Sequence, residues 1–321
     1  MLEAALVLPG LALLLTSAWR AAPRAAALEP NLLLAPGIAL ALLSFFVYAL
    51  RLQSVLRMLD LEAGIGDALR IVSFGAFCHC FVPLGAGADL GKYLKLREFA
   101  PERRARVRAA ALMLEHLVGV CVLVALASAC YLWLRPVTIA PAPSLPALGA
   151  CALLVLAVVG VIARRSRLVT TLRQAMARLA SHRRDALRAL AWSVIMQLLL
   201  AAAVLLGARG LGLGVDYGIV LFVLSTANLL QAVPASLLGL GAADVAGAGL
   251  YVAAGLPLTT ALALGALLYG YRLLVAILGG VWALGRAGRA RPNEIGPTTE
   301  PLVGRVSTRH APRVDTQSTA D

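Results

Sequence analysis

Residues 78–96 read CHCFVPLGAGADLGKYLKL. The stretch leaves an apolar run and within a few positions presents His79, Pro83, Gly85, Gly87, Asp89 and Lys92. A segment that only crosses a bilayer avoids such residues. Proline removes a backbone donor and clashes with the preceding turn. A charge at the centre of a spanning helix costs roughly 2.5–3.5 kcal/mol on insertion scales. The spacing therefore predicts a membrane helix broken at Pro83–Gly87, with charges placed directly after the break.

The rest of the 321-residue chain sets the context. Hydrophobic residues make up 60% and charged residues 14%, with a mean hydropathy of +0.85. Soluble domains carry about a quarter charged residues. Apolar runs lie at 2–18, 31–50, 71–87, 109–134, 147–163, 189–208, 217–234, 236–255 and 258–284, several of them near the roughly 20 residues that cross hydrocarbon. The fold class is an all-α polytopic membrane protein of about six to eight transmembrane helices. The first run begins with Glu3 and no basic residues, which favours a retained helix over a cleaved signal peptide.

The net charge of +13 is distributed as topology signals are, which argues against nucleic-acid binding. RRARVR at 103–108, with Lys92, Lys95 and Arg97, forms one basic link; 163–188 forms another, and Arg286, Arg289 and Arg291 begin a third. The links at 135–146 and 207–217 carry one Arg each. Basic links face the cytoplasm, which puts the chain in the cytoplasmic membrane with its C-terminus inside. Over 164–188, leucines on one side and arginines on the rest predict a basic amphipathic helix on the inner leaflet. The integral membrane domain is expected over 1–286, followed by a disordered basic tail at 287–321. The five cysteines lie in or beside apolar runs and read as small buried hydrophobes. Cys78, His79 and Cys80 point in different directions on a helix, so no metal site is expected.

The opening stretch has a counterpart. Residues 228–244 read NLLQAVPASLLGLGAAD, again Val-Pro, then Gly-x-Gly, then an acid. The first broken segment spans 71–99 and the second 217–255, with helix breaks at Pro83, Gly85, Gly87 and at Pro234, Gly239, Gly241. Opened backbone cannot face lipid and must be buried in protein or line a wet cavity. Paired Gly/Pro-broken segments in two halves point to a transporter's binding site, and repetition predicts an inverted repeat. Each segment is either a re-entrant hairpin or a pair of crossings, and charge bias fits both.

Ionisable residues cluster around these breaks. Asp89 and Lys92 share a helix face at i and i+3 and can pair. Glu115 and His116 lie in the next helix, Arg272 lies deep in the last one, and Asp244 is a candidate partner for Arg272. Asn228 and Gln231 add amides just before Pro234. These eight residues, Asp89, Lys92, Glu115, His116, Asn228, Gln231, Asp244 and Arg272, form the candidate substrate-binding set. Structural ion pairing between helices is the competing reading of the charged ones.

The run Pro83, Gly85, Gly87, Asp89, Lys92, then Glu115 with His116, then Pro234, Gly239, Gly241, Asp244 with Arg272, resembles the flippase-like transmembrane domain family, the integral membrane part of lysylphosphatidylglycerol synthases and its stand-alone relatives. The resemblance reaches to about residue 286. Members commonly have Asn before the first Pro, where this chain has Cys-His-Cys. Lys92 and His116 stand where Arg is usual, and Asp244 stands where Glu is usual. The chain thus resembles a divergent member.

The resemblance implies movement of a polar or anionic lipid between leaflets, with phospholipids, polyprenyl-phosphate-linked sugars and hopanoid-type lipids as cargo classes. Lys92, His116 and Arg272 would meet a lipid phosphate, while Asp89, Glu115 and Asp244 would hold those cations in place or pair with an amino or sugar headgroup. No G-x-x-x-x-G-K-[ST] loop occurs, no synthase domain is recognisable, and no cofactor or catalytic residue is expected. Two other readings stand beside this one. The first is a non-catalytic membrane partner of a lipid-modifying enzyme or glycosyltransferase. The second is a headgroup-modifying membrane enzyme using Asp89, Glu115 and His116.

Overall fold

A computed structural model of the chain describes residues 33–81, 87–100, 105–134, 181–231 and 242–285, all within one unit, Met1–Gly285. The apolar runs at 2–18 and 147–163, the tail at 287–321, and Pro83, Gly85, Pro234, Gly239 and Gly241 lie outside the described residues. Eight helices and no strand occur among them: α1 Leu34–Arg57, α2 Ile65–Phe81, α3 Gly87–Phe99, α4 Ala105–Leu134, α5 Arg183–Gly210, α6 Tyr217–Gln231, α7 Ala242–Ala253 and α8 Leu258–Gly285. Four of them, α1, α4, α5 and α8, are long and apolar enough to cross a membrane. The chain is an all-α polytopic membrane protein.

The four remaining helices are short. At 1.5 Å per residue, α2 is about 26 Å long and α3 about 20 Å, against a hydrocarbon core of about 30 Å. Local chemistry sets several boundaries. After α1, Asp60 adopts φ 54°, the Asp60 N–H bonds the Arg57 carbonyl and the Leu61 N–H bonds the Leu56 carbonyl. After α5, Gly212 takes the same place at φ 69°, with Leu213 N–H on the Ala208 carbonyl. Both are left-handed stops that satisfy the last free carbonyls of a helix. Asp216 then caps α6, its Oδ1 accepting from Gly218 N–H at 2.7 Å and Ile219 N–H at 3.4 Å.

The packing repeats. α2 lies against α3 as α6 lies against α7; α1 touches α2 as α5 touches α6; α3 touches α4 as α7 touches α8; and α2 packs on α8 as α4 packs on α6. Exchanging α1 with α5, α2 with α6, α3 with α7 and α4 with α8 maps every substantial helix contact onto another. The α1–α5 pair at the centre is antiparallel. Leu34 meets Gly210, Gly37 meets Ala203 and Gly207, and Val55 and Met58 pack with Ala186 and Ala189. The two halves therefore run in opposite senses, as an inverted repeat requires. Small residues permit the close approach: a Cβ on Gly37 would stand 2.6 Å from the Tyr271 hydroxyl oxygen.

The helix ends sort into two groups. One apolar cluster gathers the end of α1, the start of α2, the end of α3 and the start of α4 through Leu56, Leu61, Ala68, Leu96 and Ala111. Another gathers the ends of α4, α5 and α7 with the start of α6 through Leu134, Ala208, Tyr251 and Val220. The α2–α3 pair thus enters the bundle from one end and the α6–α7 pair from the other. The first end carries the cations Arg57, Arg70, Lys95, Arg97, Arg106, Arg108, Arg183, Arg184 and Arg188 beside the acids Asp60, Glu62, Asp67, Glu98 and Asp185; the described part of the second carries Arg209 and Asp216. One expectation is corrected here. Residues Arg183–Arg188, read from sequence as the close of a surface amphipathic helix, open α5 instead. Ala186 and Ala189 pack against Val55 and Met58 of α1, and that contact draws the segment into the bundle. The part of the amphipathic run before residue 181 lies outside the described residues.

Candidate functional site

The first broken segment brings three helices together around one ammonium group. Lys92, on α3, extends its stem past Gly75 of α2, where a Cβ would come within 2.6 Å of Lys92 Cγ. Its Nζ donates to Glu115 Oε2 of α4 at 3.0 Å and to the Tyr48 hydroxyl of α1 at 3.0 Å. Asp89 Oδ1 lies 3.2 Å from the same nitrogen, one turn back on α3. Glu115 is also held by Arg51 of α1, whose Nη2 lies 3.8 Å from Oε1 and donates to the Glu115 backbone carbonyl. Gly119, one turn beyond Glu115, leaves room for that guanidinium: a Cβ there would stand 2.8 Å from Nη2. Both cations also lie over the Tyr48 ring, Arg51 Cζ at 5.5 Å and Lys92 Nζ at 5.7 Å from its centre.

The contacts continue outward. Asp89 Oδ2 lies 2.8 Å from His116 Nε2. The result is a line of alternating charge, Arg51–Glu115–Lys92–Asp89–His116. Its first three side chains are 8%, 1% and 4% exposed; Asp89 is 40% and His116 50% exposed. A buried charge is tolerated only when paired and hydrogen-bonded; Glu115 pairs with both inner cations, and Tyr48 and Asp89 complete the surroundings of Lys92. Asp89 sits in the first turn of α3, where the helix dipole favours an anion.

The second broken segment carries a smaller polar contact. Arg272 of α8 donates from Nη2 to Asn228 Oδ1 of α6 at 3.3 Å. The side chains of Gln231 and Asp244 lie outside the described residues, so the Asp244–Arg272 pairing expected from sequence falls there too. Next to Arg272, the Tyr271 hydroxyl donates to the Ala203 carbonyl of α5 at 3.2 Å. The symmetry of the fold gives this contact meaning. Where α1 and α4 meet through Arg51 over Gly119, α5 and α8 meet through Tyr271 over Ala203 and Gly207. One half uses charge and the other an aromatic ring.

Of the eight candidate residues, four, Asp89, Lys92, Glu115 and His116, belong to one connected network, and Asn228 and Arg272 form a pair. Lys92, expected to face a ligand phosphate, is enclosed by Glu115, Asp89 and Tyr48. Arg51 and Tyr48 did not emerge from the sequence reading. The apolar run read from sequence, 31–50, stops one residue short of Arg51. The signal was present: LQSVL after Arg51 continues the apolar pattern, and Tyr48, Arg51 and Val55 follow helical spacing. Gln197, Ser225 and Thr226 are also buried, and their side-chain polar atoms have no hydrogen-bond partner among the described residues.

Comparison with known proteins identifies a family. The model of the family described as the lysylphosphatidylglycerol synthase TM region matches residues 2–280. No curated protein matches the chain, and no solved structure matches it.

Proposed function

The chain belongs to the lysylphosphatidylglycerol synthase TM region family, and from that premise we propose that it is a lipid translocase, carrying a polar or anionic headgroup between leaflets while the acyl chains stay in the bilayer. The observation that carries this reading is the pair of short-helix arms, α2–α3 and α6–α7, which enter the bundle from opposite ends with polar groups toward their inner ends. In this reading each arm is a re-entrant hairpin in the cytoplasmic membrane. The half-exposed Asp89–His116 pair and the Asn228–Arg272 pair are the headgroup contacts. Intramembrane ionisable groups that are not enclosed by protein face water or ligand. The concentration of Arg and Lys at one end of the bundle, together with Trp282 of α8 lying 5.5 Å from Arg70 at that end, supports a cytoplasmic C-terminus. The protein acts as a carrier and not as an enzyme. Its partners are membrane lipids, with a lipid-modifying enzyme or glycosyltransferase as supplier or consumer of the cargo.

Proteoliposomes holding leaflet-labelled phosphatidylglycerol test the reading. Dithionite quenches a fluorescent headgroup only in the outer leaflet, so movement appears as loss of the protected fraction. Wild-type protein is expected to raise that loss above empty liposomes, and Arg272→Ala, folded as judged by its unfolding temperature, to remove most of the gain. Wild-type liposomes indistinguishable from empty ones with every cargo class named above would sink the proposal.

A further inference from the structure

Three buried serines settle on their own helices. Ser44, Ser54 and Ser193 donate to the carbonyls of Ala41, Leu50 and Ala189 at 2.7, 2.9 and 2.7 Å, the local bond open to a hydroxyl in a helix. Gln197 of α5 and Ser225 and Thr226 of α6 are different. They are 1%, 0% and 4% exposed, and their amide and hydroxyl atoms have no partner among the described residues. The printed contacts bring the three to one junction. α5 runs alongside α4 in the same direction, Ala189 clustering with Val118 and Ala208 with Leu134. α6 runs the other way, Phe222 lying 6.4 Å from the Tyr131 ring and Leu229 clustering with Val120. Gln197 falls between the two α5 contacts, and Ser225 and Thr226 between the two α6 contacts. All three therefore stand at the level of residues 124–128 of α4, where Ala127 is 1% exposed. Ser225 shares the α4-facing side of α6 with Phe222 and Leu229, and Gln197 shares the buried side of α5 with Ser193, Ala201 and Val204.

The fold itself does not ask for polar side chains here. A shift of 152 positions relates Asp60 to Gly212, the two left-handed helix stops, and relates Arg51 to Ala203 and Gly119 to Tyr271, the two helix closures. The same shift sets Phe45 opposite Gln197 and Phe74 opposite Thr226, and only Ser225 has a polar counterpart, Ser73. A buried amide or hydroxyl without a hydrogen bond is costly, so a ligand that supplies the missing bonds is favoured by the cost it removes. We infer that Gln197, Ser225 and Thr226 are a polyol subsite, closed in this structure, which takes the hydroxyls of a glycerol or sugar headgroup when α6 parts from α4 and α5. This rests on the translocase reading and names its class of headgroup. Asn228, which accepts from Arg272, lies three residues beyond Ser225, about 4.5 Å along α6. A phosphodiester held at Arg272 thus has the hydroxyls of the group it carries within reach of the junction. The chemistry selects the class. An amide and two hydroxyls offer donors and acceptors together, as a polyol does. An ammonium headgroup only donates and meets no carboxylate among these three residues, and a quaternary ammonium forms no such bonds.

The test is calorimetric binding to the purified full chain in a neutral detergent. The probes are dihexanoyl-phosphatidylglycerol, dihexanoyl-phosphatidylinositol and dihexanoyl-phosphatidylmethanol, the last carrying the same phosphodiester with no hydroxyl. The wild type is expected to bind one of the two polyol lipids about tenfold or more tightly than the methyl lipid. Gln197→Leu, and Ser225→Ala combined with Thr226→Val, are expected to unfold no earlier than wild type and to lose that preference. Stability kept or raised while selectivity falls is the mark of a functional site, and a merely structural cluster would not show it. Glycerophosphoglycerol, the headgroup without acyl chains, is expected to bind far more weakly than its lipid; equal binding would overturn the lipid as source. A wild type that does not distinguish polyol from methyl, or a preference that survives in both variants, overturns the subsite and leaves the translocase reading standing. No binding of any of the three lipids overturns both.

Discussion

Replacing Glu115 by Gln removes the one carboxylate shared by Lys92 and Arg51. The three side chains are 1%, 4% and 8% exposed, so water does not compensate. Asp89 and Tyr48 still touch the ammonium, whereas the guanidinium retains only the carbonyl bond to residue 115 among its Glu115 contacts. Breaking a buried ion pair by deleting one partner costs about 3–5 kcal/mol. The Asp89 contact retains part of that, which places the expected loss near about 3 kcal/mol. The assay is chemical or thermal unfolding in detergent, read by intrinsic fluorescence. The double variant Lys92→Met/Glu115→Leu removes both charges while keeping volume, and its expected loss is smaller than that of Glu115→Gln alone, because no cation is stranded beside residue 115 except the carbonyl-bound Arg51. A Glu115→Gln protein within about 1 kcal/mol of wild type, or a double variant worse than the single one, would refute the account of an interdependent buried network.

Other consequences are equally open to measurement. Gly119→Ala places a methyl 2.8 Å from Arg51 Nη2, and overpacking of this kind costs about 1–3 kcal/mol; unfolding of that variant no easier than wild type would show that the guanidinium has room to move. Gly37→Ala drives against the Tyr271 hydroxyl, so Tyr271→Phe, itself losing about 1 kcal/mol with its hydrogen bond, is expected to recover part of the Gly37→Ala loss in the double variant. Gln197 is buried with neither amide atom partnered among the described residues, so Gln197→Leu is expected to be neutral or to raise the unfolding temperature. Antiparallel packing of α1 and α5 predicts that, in a cysteine-free background, Met58→Cys crosslinks to Ala186→Cys under mild oxidation and Leu34→Cys does not; the reverse outcome would overturn the helix pairing.

Much of this architecture was legible beforehand because membrane physics writes it in composition. The runs at 109–134, 189–208, 217–234 and 258–284 lie within a few residues of α4, α5, α6 and α8; of the expected break at Pro83–Gly87 only Gly87, the first residue of α3, is among the described residues. Asp89 and Lys92 do pair across one helical turn. What could not be read was which cation is sealed in the interior. Lys92 follows the break and looks accessible in one dimension; α1 and α4 close over it in three. Arg51 was lost for a related reason. A charge at the margin of an apolar run reads as the start of a loop, and only the distant partner, 64 positions later, turns it into part of the interior.

That separation has a consequence for how the protein is made. A chain entering the membrane from its N-terminus delivers Arg51 first, then Asp89 and Lys92, and Glu115 last. Until α4 arrives, Arg51 and Lys92 have Asp89 but not Glu115 to offset them. Insertion of α1 and α3 is therefore provisional, and the first half can settle only when synthesis has passed residue 115. Chains arrested before that point are expected to remain held at the insertion machinery or to be degraded, while chains arrested after α4 are the shortest able to leave it.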